Sequence, residues 1–173
     1  MLSHASMDGA QEELVDVVDA HDRVIGTVMR SVMCRDRLLH RAVYVVVHDP
    51  AGRVLIHRRS DGKDIWPGWW DLAVGGVVSA GESWEDAARR EVAEEIGVVD
   101  ATPEPIGGGR YDDEQLSVLG RCYRVVAAGP LTFTDGEIVE SEWVEPADLP
   151  QVVGARSFLP DSLALLGPFL GLS

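Results

Sequence analysis

Three glutamates in one short segment have the residue type and spacing of a metal-binding site. We call Glu91, Glu94 and Glu95 the glutamate cluster; at about 100° per residue, a helix would place them on one arc of its surface. The cluster lies near the end of the predicted helix, where the helix dipole disfavours negative charge. Two bare carboxylates about 4 Å apart repel by roughly 4 kcal/mol at a surface-like dielectric. Because this arrangement opposes stability, it indicates a function.

A hard divalent cation would offset the repulsion within the cluster. Mg²⁺ prefers oxygen ligands, binds through few carboxylates and completes its coordination with substrate phosphates. Water bound to such a metal loses its proton more readily and can attack phosphorus. On composition alone the alternative is a solvated acidic helix face, which is the commoner meaning of a glutamate-rich helix.

The residues around the cluster resemble the Nudix box. Gly76, Glu82 and the run Arg90-Glu91-Val92-Ala93-Glu94-Glu95-Ile96-Gly97-Val98 match every defining position of this motif, which would span residues 76–98. The resemblance implies an α/β fold of the Nudix type, an α/β/α sandwich with a mixed β-sheet. It also implies a hydrolase that cleaves the pyrophosphate bond of nucleoside diphosphates linked to another group. Mg²⁺ is the implied cofactor, and Mn²⁺ would substitute for it.

The same resemblance assigns roles to the charged residues of the box. Glu91 and Glu95 are the leading metal ligands, and Glu94 is a further ligand or the base that activates water. Arg90 matches the arginine that orients an adjacent glutamate. Glu82 matches the box either as a support for the ligands or as a structural residue.

Two adjacent glycines, Gly75 and Gly76, precede the helix, and we call them the glycine pair. Glycine lets the backbone approach a neighbouring group more closely than any other residue does. We therefore expect the glycine pair to lie against the metal site, with Gly75 contributing to it.

Outside the box, residues 14–149 resemble a narrower branch of the family, the proteins related to isopentenyl-diphosphate isomerase. The shared segments are Leu39-His40-Arg41-Ala42, Arg58-Arg59, Lys63, Trp66-Pro67-Gly68 and Trp70. Arg59 and Lys63 match isomerase positions that contact the diphosphate; the alternative is that they are solvated loop cations. Trp66, with Trp69 and Trp70, would stack on a base or an isoprenoid, or else anchor the loop.

The isomerase itself is disfavoured because its catalytic residues are missing. Gly75 occupies the position of its catalytic cysteine, and Met33 and Val77 occupy the positions of two metal-binding histidines. Only His40 remains, and we expect it to be structural, with a backbone partner. Another alternative is a catalytically silent Nudix domain that binds a nucleotide derivative, but the intact glutamate cluster argues against it.

A downstream acidic residue is a further candidate for the general base. Many Nudix hydrolases draw an extra ligand or base from a loop in this part of the chain. Besides Glu94, the candidates are Glu114, which follows Asp112 and Asp113, and then Glu137, Glu140 and Glu142. The sequence leaves the choice among them open.

Overall charge limits the partners of this chain. Fifteen Lys and Arg face 29 Asp and Glu, for a formal net charge of −14. Such a surface repels nucleic acid and anionic membranes, so we expect neither as a partner. A small-molecule diphosphate would need local positive charge or a metal ion. Whether the protein forms a homodimer is left open.

Cellular location is inferred from three negative features of the sequence. No apolar run is long enough to span a bilayer, and the first twenty residues carry four acids and no basic cluster, so we expect no secretory signal. The two cysteines, Cys34 and Cys122, form no CxxC pair, so we expect free thiols in a reducing compartment. Together these features favour a cytoplasmic protein.

Apolar periodicity predicts the elements that position these residues. Residues 1–12 are expected to form a flexible leader and residues 13–173 a single domain, since this length suits one core. The clearest helix covers residues 83–96, with Ser83 as its N-cap and Gly97 as its stop. Strands are predicted near residues 14–18, 24–28, 42–48, 53–58, 116–126 and 141–145. Other segments are predicted as a loop over 60–71, a connector or short helix over 30–41, and short helices near 146–152 and 161–170.

Overall fold

The computed structural model describes residues 13–172, and the predicted leader, residues 1–12, lies outside this range. Nine strands and four helices are formed by the described residues, and a short 3₁₀ turn, Gly167–Phe169, follows the last helix. The strands are β1 (Leu14–Val18), β2 (Val24–Met29), β3 (His40–His48), β4 (Val54–Arg59), β5 (Trp70–Asp71), β6 (Val74–Val77), β7 (Glu104–Asp112), β8 (Ser117–Val126) and β9 (Ile138–Val144). The helices are α1 (Arg30–Arg35), α2 (Trp84–Ile96), α3 (Leu149–Ala155) and α4 (Pro160–Leu166).

The strands join in one mixed sheet with β3 at its centre. β3 pairs in parallel with β8 over its whole length, from His40 opposite Val118 to His48 opposite Val126. On its other side it pairs antiparallel with β6. β4 meets β3 only where His48 faces Val54, and continues by pairing with β9 and β5. Since β3 and β4 share one pair only, they diverge, and β6 pairs with the rest of this edge of β3, from Ala42 to Val45.

Helices cover both faces of this sheet. Alternate β3 side chains pack on the α2 side, namely Val43, Val45 and Val47. The remaining ones pack on the α4 side, namely Ala42, Tyr44 and Val46. A strand buried on both faces reads as a continuous apolar run, which is the pattern of residues 42–48. The predicted α/β/α sandwich with a mixed sheet is therefore confirmed.

Helix α2 begins and ends as the sequence predicts. The Ser83 hydroxyl accepts a hydrogen bond from the Asp86 amide at 3.1 Å. Gly97 adopts a left-handed conformation with φ of 73°, and its N–H donates to the Ala93 carbonyl. The apolar stripe of helix α2, which includes the fully buried Val92, packs on the sheet. This packing fixes the rotation of α2 and turns part of the glutamate cluster toward β6.

The structure differs from the prediction where glycine is abundant. β7, with three consecutive glycines, and β6, with the glycine pair, were not predicted as strands, because glycine has low strand propensity. Pairing imposes the extended conformation instead. At Gly108, for example, a Cβ would lie 2.3 Å from the Gly120 carbonyl oxygen on β8, so the close pairing needs glycine. The short strand β5 likewise falls inside the predicted loop over 60–71.

Two smaller expectations concern cysteines and membranes. Cys34 is exposed, Cys122 is buried, and neither forms a disulfide, as predicted. Within residues 13–172, no helix combines the length and apolar character needed to cross a bilayer.

Candidate active site

A cavity of about 780 Å³ gathers most of the residues predicted to act. The glutamate cluster, the glycine pair and Arg90 line it from α2 and β6. Arg59, Lys63 and Trp66 line it from the end of β4 and the loop that follows. Glu82 does not line the cavity, but it accepts hydrogen bonds from Arg90, which does. Residues far apart in sequence thus meet because β6 lies beside β3 and the β4 loop reaches over the opening.

Glu95 is the most buried member of the glutamate cluster, with 6% of its surface exposed. Its Oε1 accepts one hydrogen bond, from the Gly75 N–H at 3.2 Å. Burial raises the pKa of Glu95 well above its ordinary value, and the neighbouring Glu91 carboxylate raises it further. Burial also raises the pKa of Glu91, although Arg90 opposes the shift. The two carboxylates therefore resist being ionised side by side without a cation.

The glycine pair is required for two different close approaches. A Cβ on Gly76 would lie 2.6 Å from Glu91 Oε1, so this glycine leaves room for the carboxylate. A Cβ on Gly75 would lie 2.0 Å from the Val43 carbonyl oxygen, so the pairing of β6 with β3 requires glycine at position 75. Gly76 thus opens the cavity beside a carboxylate, whereas Gly75 presents its N–H to another.

Arg90 is held by a set of acceptors that leaves it little freedom. Its Nε and Nη2 donate to the two carboxylate oxygens of Glu82 at 2.8 and 2.9 Å, and Nη2 also donates to the Val77 carbonyl at 3.1 Å. Its Nη1 donates to Glu91 Oε1 at 2.7 Å and to Glu94 Oε2 at 3.4 Å. These charged hydrogen bonds raise the pKa of Arg90 further above its already high value. Glu82 therefore anchors Arg90, and Arg90 in turn positions Glu91.

The fit of a metal to this site can be judged from its donor set. Within residues 13–172, no three Asp, Glu, His or Cys side chains already form a complete ligand set. The cluster instead offers the buried Glu95 carboxylate and the partly buried Glu91 carboxylate, with the exposed Glu94 beside them. Mg²⁺ is commonly bound by one or two carboxylates, with waters and substrate phosphates as its other ligands. Two adjacent carboxylates with raised pKa values, one buried and one partly buried, lie beside the space that Gly76 leaves, and they fit such a cation.

Two cations face the cavity from the β4 end. Arg59 Nη2 donates to the Ile65 carbonyl at 3.2 Å. The buried Nε of Arg59 has no hydrogen-bond partner in the described part of the chain. Lys63 Nζ forms an ion pair with Glu137 Oε1 at 2.5 Å, and 24% of the lysine side chain is exposed. They place positive charge at the cavity of a protein whose net charge is −14.

The three loop tryptophans separate into different environments. Trp66 lines the cavity and has a positive φ of 47°, which is uncommon for a large residue. Trp69 lies beside it with ring centroids 6.4 Å apart, outside the cavity lining. Trp70 packs on the α4 side of the sheet with Phe158 and lies under the Arg156 guanidinium. Only Trp66 of the three is therefore placed to contact a ligand.

The candidate bases also separate. Glu94 and Glu137 line the cavity. Glu140 accepts a hydrogen bond from Arg58 at 3.1 Å and Glu142 accepts one from Arg156 at 2.8 Å; both, like Glu114, are exposed and absent from the cavity lining. The structure thus brings two of the five candidates to the site.

Some cavity residues were not found from the sequence. Tyr44, Asp71 and Asp161 form a buried wall in which the Tyr44 hydroxyl donates to Asp161 Oδ2 at 2.7 Å. They lie on three elements and carry no motif, so nothing local indicates that they meet. His40 also lines the cavity, and its Nδ1 donates to the Leu38 carbonyl at 2.9 Å, which is the backbone partner expected for it.

Comparison with known proteins places this geometry in a family. The NUDIX domain model matches residues 38–162. An uncharacterized Nudix hydrolase of Yersinia pestis is 38% identical over 158 residues, covering 91% of this chain and 86% of the relative. One from Streptomyces coelicolor is 38% identical over 163 residues, covering 91% and 90%.

Solved structures agree with this placement. A crystal structure of a Deinococcus radiodurans protein superposes with a TM-score of 0.74 at 27% identity, covering 92% of this chain and 98% of that one. The NUDIX domain of Shewanella oneidensis NrtR, solved with ADP ribose, has a TM-score of 0.58 at 22% identity over 72% of this chain and 81% of its own. The second likeness concerns the fold alone.

Proposed function

The chain belongs to the Nudix hydrolase family, and from that premise we propose that it is a Mg²⁺-dependent hydrolase of a diphosphate bond in a nucleoside-diphosphate-linked small molecule. Members of this family generally hydrolyse pyrophosphate bonds. The observation that carries the proposal is the pair formed by the buried Glu95 and the adjacent Glu91, whose side chain is 12% exposed; the pair shares one cavity with Arg59 and Lys63. An acidic pair suits a metal ion, and the two cations suit the diphosphate that the metal would help to hold.

Each residue of the site has a stated task in this proposal. Glu91 and Glu95 would hold the metal, which would neutralise phosphoryl charge and make water a better nucleophile. Arg90, anchored by Glu82, fixes the direction in which the Glu91 carboxylate points. Water attacks phosphorus, the anhydride P–O bond breaks, and two phosphorylated products leave.

Proton transfer from the attacking water requires a carboxylate at the cavity. Glu94 and Glu137 are so placed, and both are accessible enough to exchange the proton with solvent afterwards. Glu94 is held at 3.4 Å by Arg90. Glu137 forms an ion pair with Lys63 at 2.5 Å. One of these two glutamates acts as the base in this proposal. Glu94→Gln and Glu137→Gln, tested separately, distinguish the two candidates.

The proposal includes that this protein is related to isopentenyl-diphosphate isomerase, but it does not include isomerase activity. A cysteine at position 75 would place its Cβ 2.0 Å from the Val43 carbonyl oxygen, so this backbone has no room for the isomerase nucleophile. Met33 and Val77 supply no imidazole in the same cavity. These two observations support hydrolysis rather than carbon–carbon double-bond isomerisation.

The proposal is tested by incubating the protein with nucleotide sugars, dinucleotides, nucleoside triphosphates and isoprenyl diphosphates. Products are resolved by chromatography with Mg²⁺ and with excess EDTA. We expect monophosphate release that needs Mg²⁺ or Mn²⁺, and no interconversion of isopentenyl and dimethylallyl diphosphate. Full turnover in EDTA, or no hydrolysis of any compound with Mg²⁺, would contradict the proposal.

Glu95→Gln provides the matched variant. We expect kcat to fall by orders of magnitude, while the melting temperature without metal holds or rises because a buried acid is removed. Glu145→Gln, an exposed glutamate outside the cavity, is the control and should leave both quantities unchanged. Near-wild-type turnover of Glu95→Gln would show that the cluster is not the metal site.

A further inference from the structure

A second wall of the cavity is acidic and deeply buried. Tyr44, Asp71 and Asp161, which we call the acidic wall, are 8%, 9% and 6% exposed, and all three line the same cavity as the glutamate cluster. They come from β3, β5 and α4, and Tyr44 belongs to the apolar cluster that packs against α4. The cavity therefore extends past the metal site to a region lined by acids.

The hydrogen-bonding capacity of the acidic wall is only partly used. Tyr44 donates to Asp161 Oδ2 at 2.7 Å, and the Ala73 amide donates to Asp71 Oδ1 at 3.0 Å. Asp161 Oδ1 has no partner among the described residues. A carboxylate offers about four acceptor positions, so Asp161 can accept further hydrogen bonds after a rotation about its Cβ–Cγ bond.

Packing alone does not account for two acids at this place. Tyr44 needs one acceptor, which a neutral asparagine at position 161 would supply without a buried charge. Burial raises the pKa of both Asp71 and Asp161, which means that each opposes ionisation where it lies. Arg59 offsets this effect only in part, at Asp71. Buried acids whose charge is not fully compensated reduce stability, and their presence beside a ligand cavity indicates that the ligand supplies donors.

We propose that the acidic wall accepts hydrogen bonds from hydroxyl or amino groups of the substrate, and that it selects nucleoside diphosphate derivatives over isoprenyl diphosphates. This inference rests on the proposed function, because the diphosphate must be held at Arg59, Lys63 and the metal site. The organic group then occupies the rest of the cavity. A nucleoside brings donors to the wall, whereas an apolar tail would remove water from Asp161 without replacing its hydrogen bonds.

Two probes with the same diphosphate but different organic groups test this selection. Binding of adenosine diphosphate and of isopentenyl diphosphate is measured by calorimetry, first in EDTA and then with Mg²⁺ at times too short for turnover. We expect wild-type protein to bind adenosine diphosphate at least tenfold more tightly, which is the loss that follows from one missing hydrogen bond to a charged group.

Asp161→Leu should remove most of this preference by weakening adenosine diphosphate roughly 10–100-fold while leaving isopentenyl diphosphate unchanged or tighter. Tyr44→Phe keeps the ring but frees the Asp161 carboxylate, so its effect should be smaller. Asp100→Asn, exposed and outside this cavity, is the control. Circular dichroism verifies that each variant is folded, and Asp161→Ala, which also removes both acceptor oxygens, replaces the leucine variant if that one is not.

The outcomes separate this inference from the proposed function. Equal weakening of both probes by Asp161→Leu, or tighter wild-type binding of isopentenyl diphosphate, would overturn the selection while hydrolysis could still be observed. Failure of the protein to bind either probe would overturn it as well. Loss of Mg²⁺-dependent hydrolysis across the whole panel, with the affinity ratio intact, would instead count against the proposed reaction alone.

Discussion

Replacing Asp161 with asparagine should stabilise the protein at neutral pH and do so progressively less as the pH falls. The substitution keeps the shape of the side chain and an oxygen that can accept the hydrogen bond from Tyr44. It removes an acid that is 6% exposed. Burial, and after it the neighbouring charge of Asp71, raise the pKa of Asp161 from 3.8 to about 6.

The magnitude follows from this difference in pKa. A shift of about two units corresponds to roughly 3 kcal/mol, at about 1.4 kcal/mol per unit. Because the folded-state pKa of Asp161 is raised, the folded state binds more protons than the unfolded state between pH 4 and 6. The stability contributed by the protonated acid is fully present below about pH 3.8 and is lost as the pH rises through 6. The advantage of Asp161→Asn should therefore grow by about 3 kcal/mol between low pH and pH 8.

Urea unfolding followed by tryptophan fluorescence measures this difference at intervals from pH 4 to pH 8. The five tryptophans supply the signal, and Asp100→Asn, an exposed aspartate, supplies the background for removing one negative charge. A free-energy difference between Asp161→Asn and wild type that does not change with pH would refute the reasoning. So would a wild-type protein that gains stability relative to the variant as the pH rises.

Two further predictions concern the metal site. Arg90→Lys loses the paired hydrogen bonds to Glu82, so kcat should fall tenfold or more with a smaller change in KM, as measured by steady-state kinetics; unchanged kcat would remove Arg90 as a positioning residue. Gly76→Ala puts a Cβ 2.6 Å from Glu91 Oε1, so the Mg²⁺ concentration for half-maximal activity should rise about tenfold as the carboxylate is displaced. Gly129→Ala, whose Cβ would have nothing within 4 Å, should leave that concentration unchanged.

Local interactions determined what the sequence predicted correctly. Helix α2 is set by its cap at Ser83, its stop at Gly97 and the spacing of its apolar residues. Each of these signals acts over only a few residues of the chain. The spacing of the glutamate cluster follows from the same helix. The run over 42–48 is apolar on both faces, which predicts a buried strand before its partners are known. For these segments the short-range pattern and the final structure agree.

Tertiary structure decided which side chains share the cavity. Of the downstream glutamates, Glu137 reaches the site while Glu140 pairs with Arg58, because the register of β9 against β4 sets their positions. β7 is extended because it pairs with β8, against the local preference of its glycines. Asp71 and Asp161 are 90 positions apart and meet Tyr44 only after β3, β5 and α4 have packed. Contacts between such distant residues leave no periodic or motif signal. The sequence therefore determined the chemistry of the proposed metal site, and the folded chain decided what lies beside it.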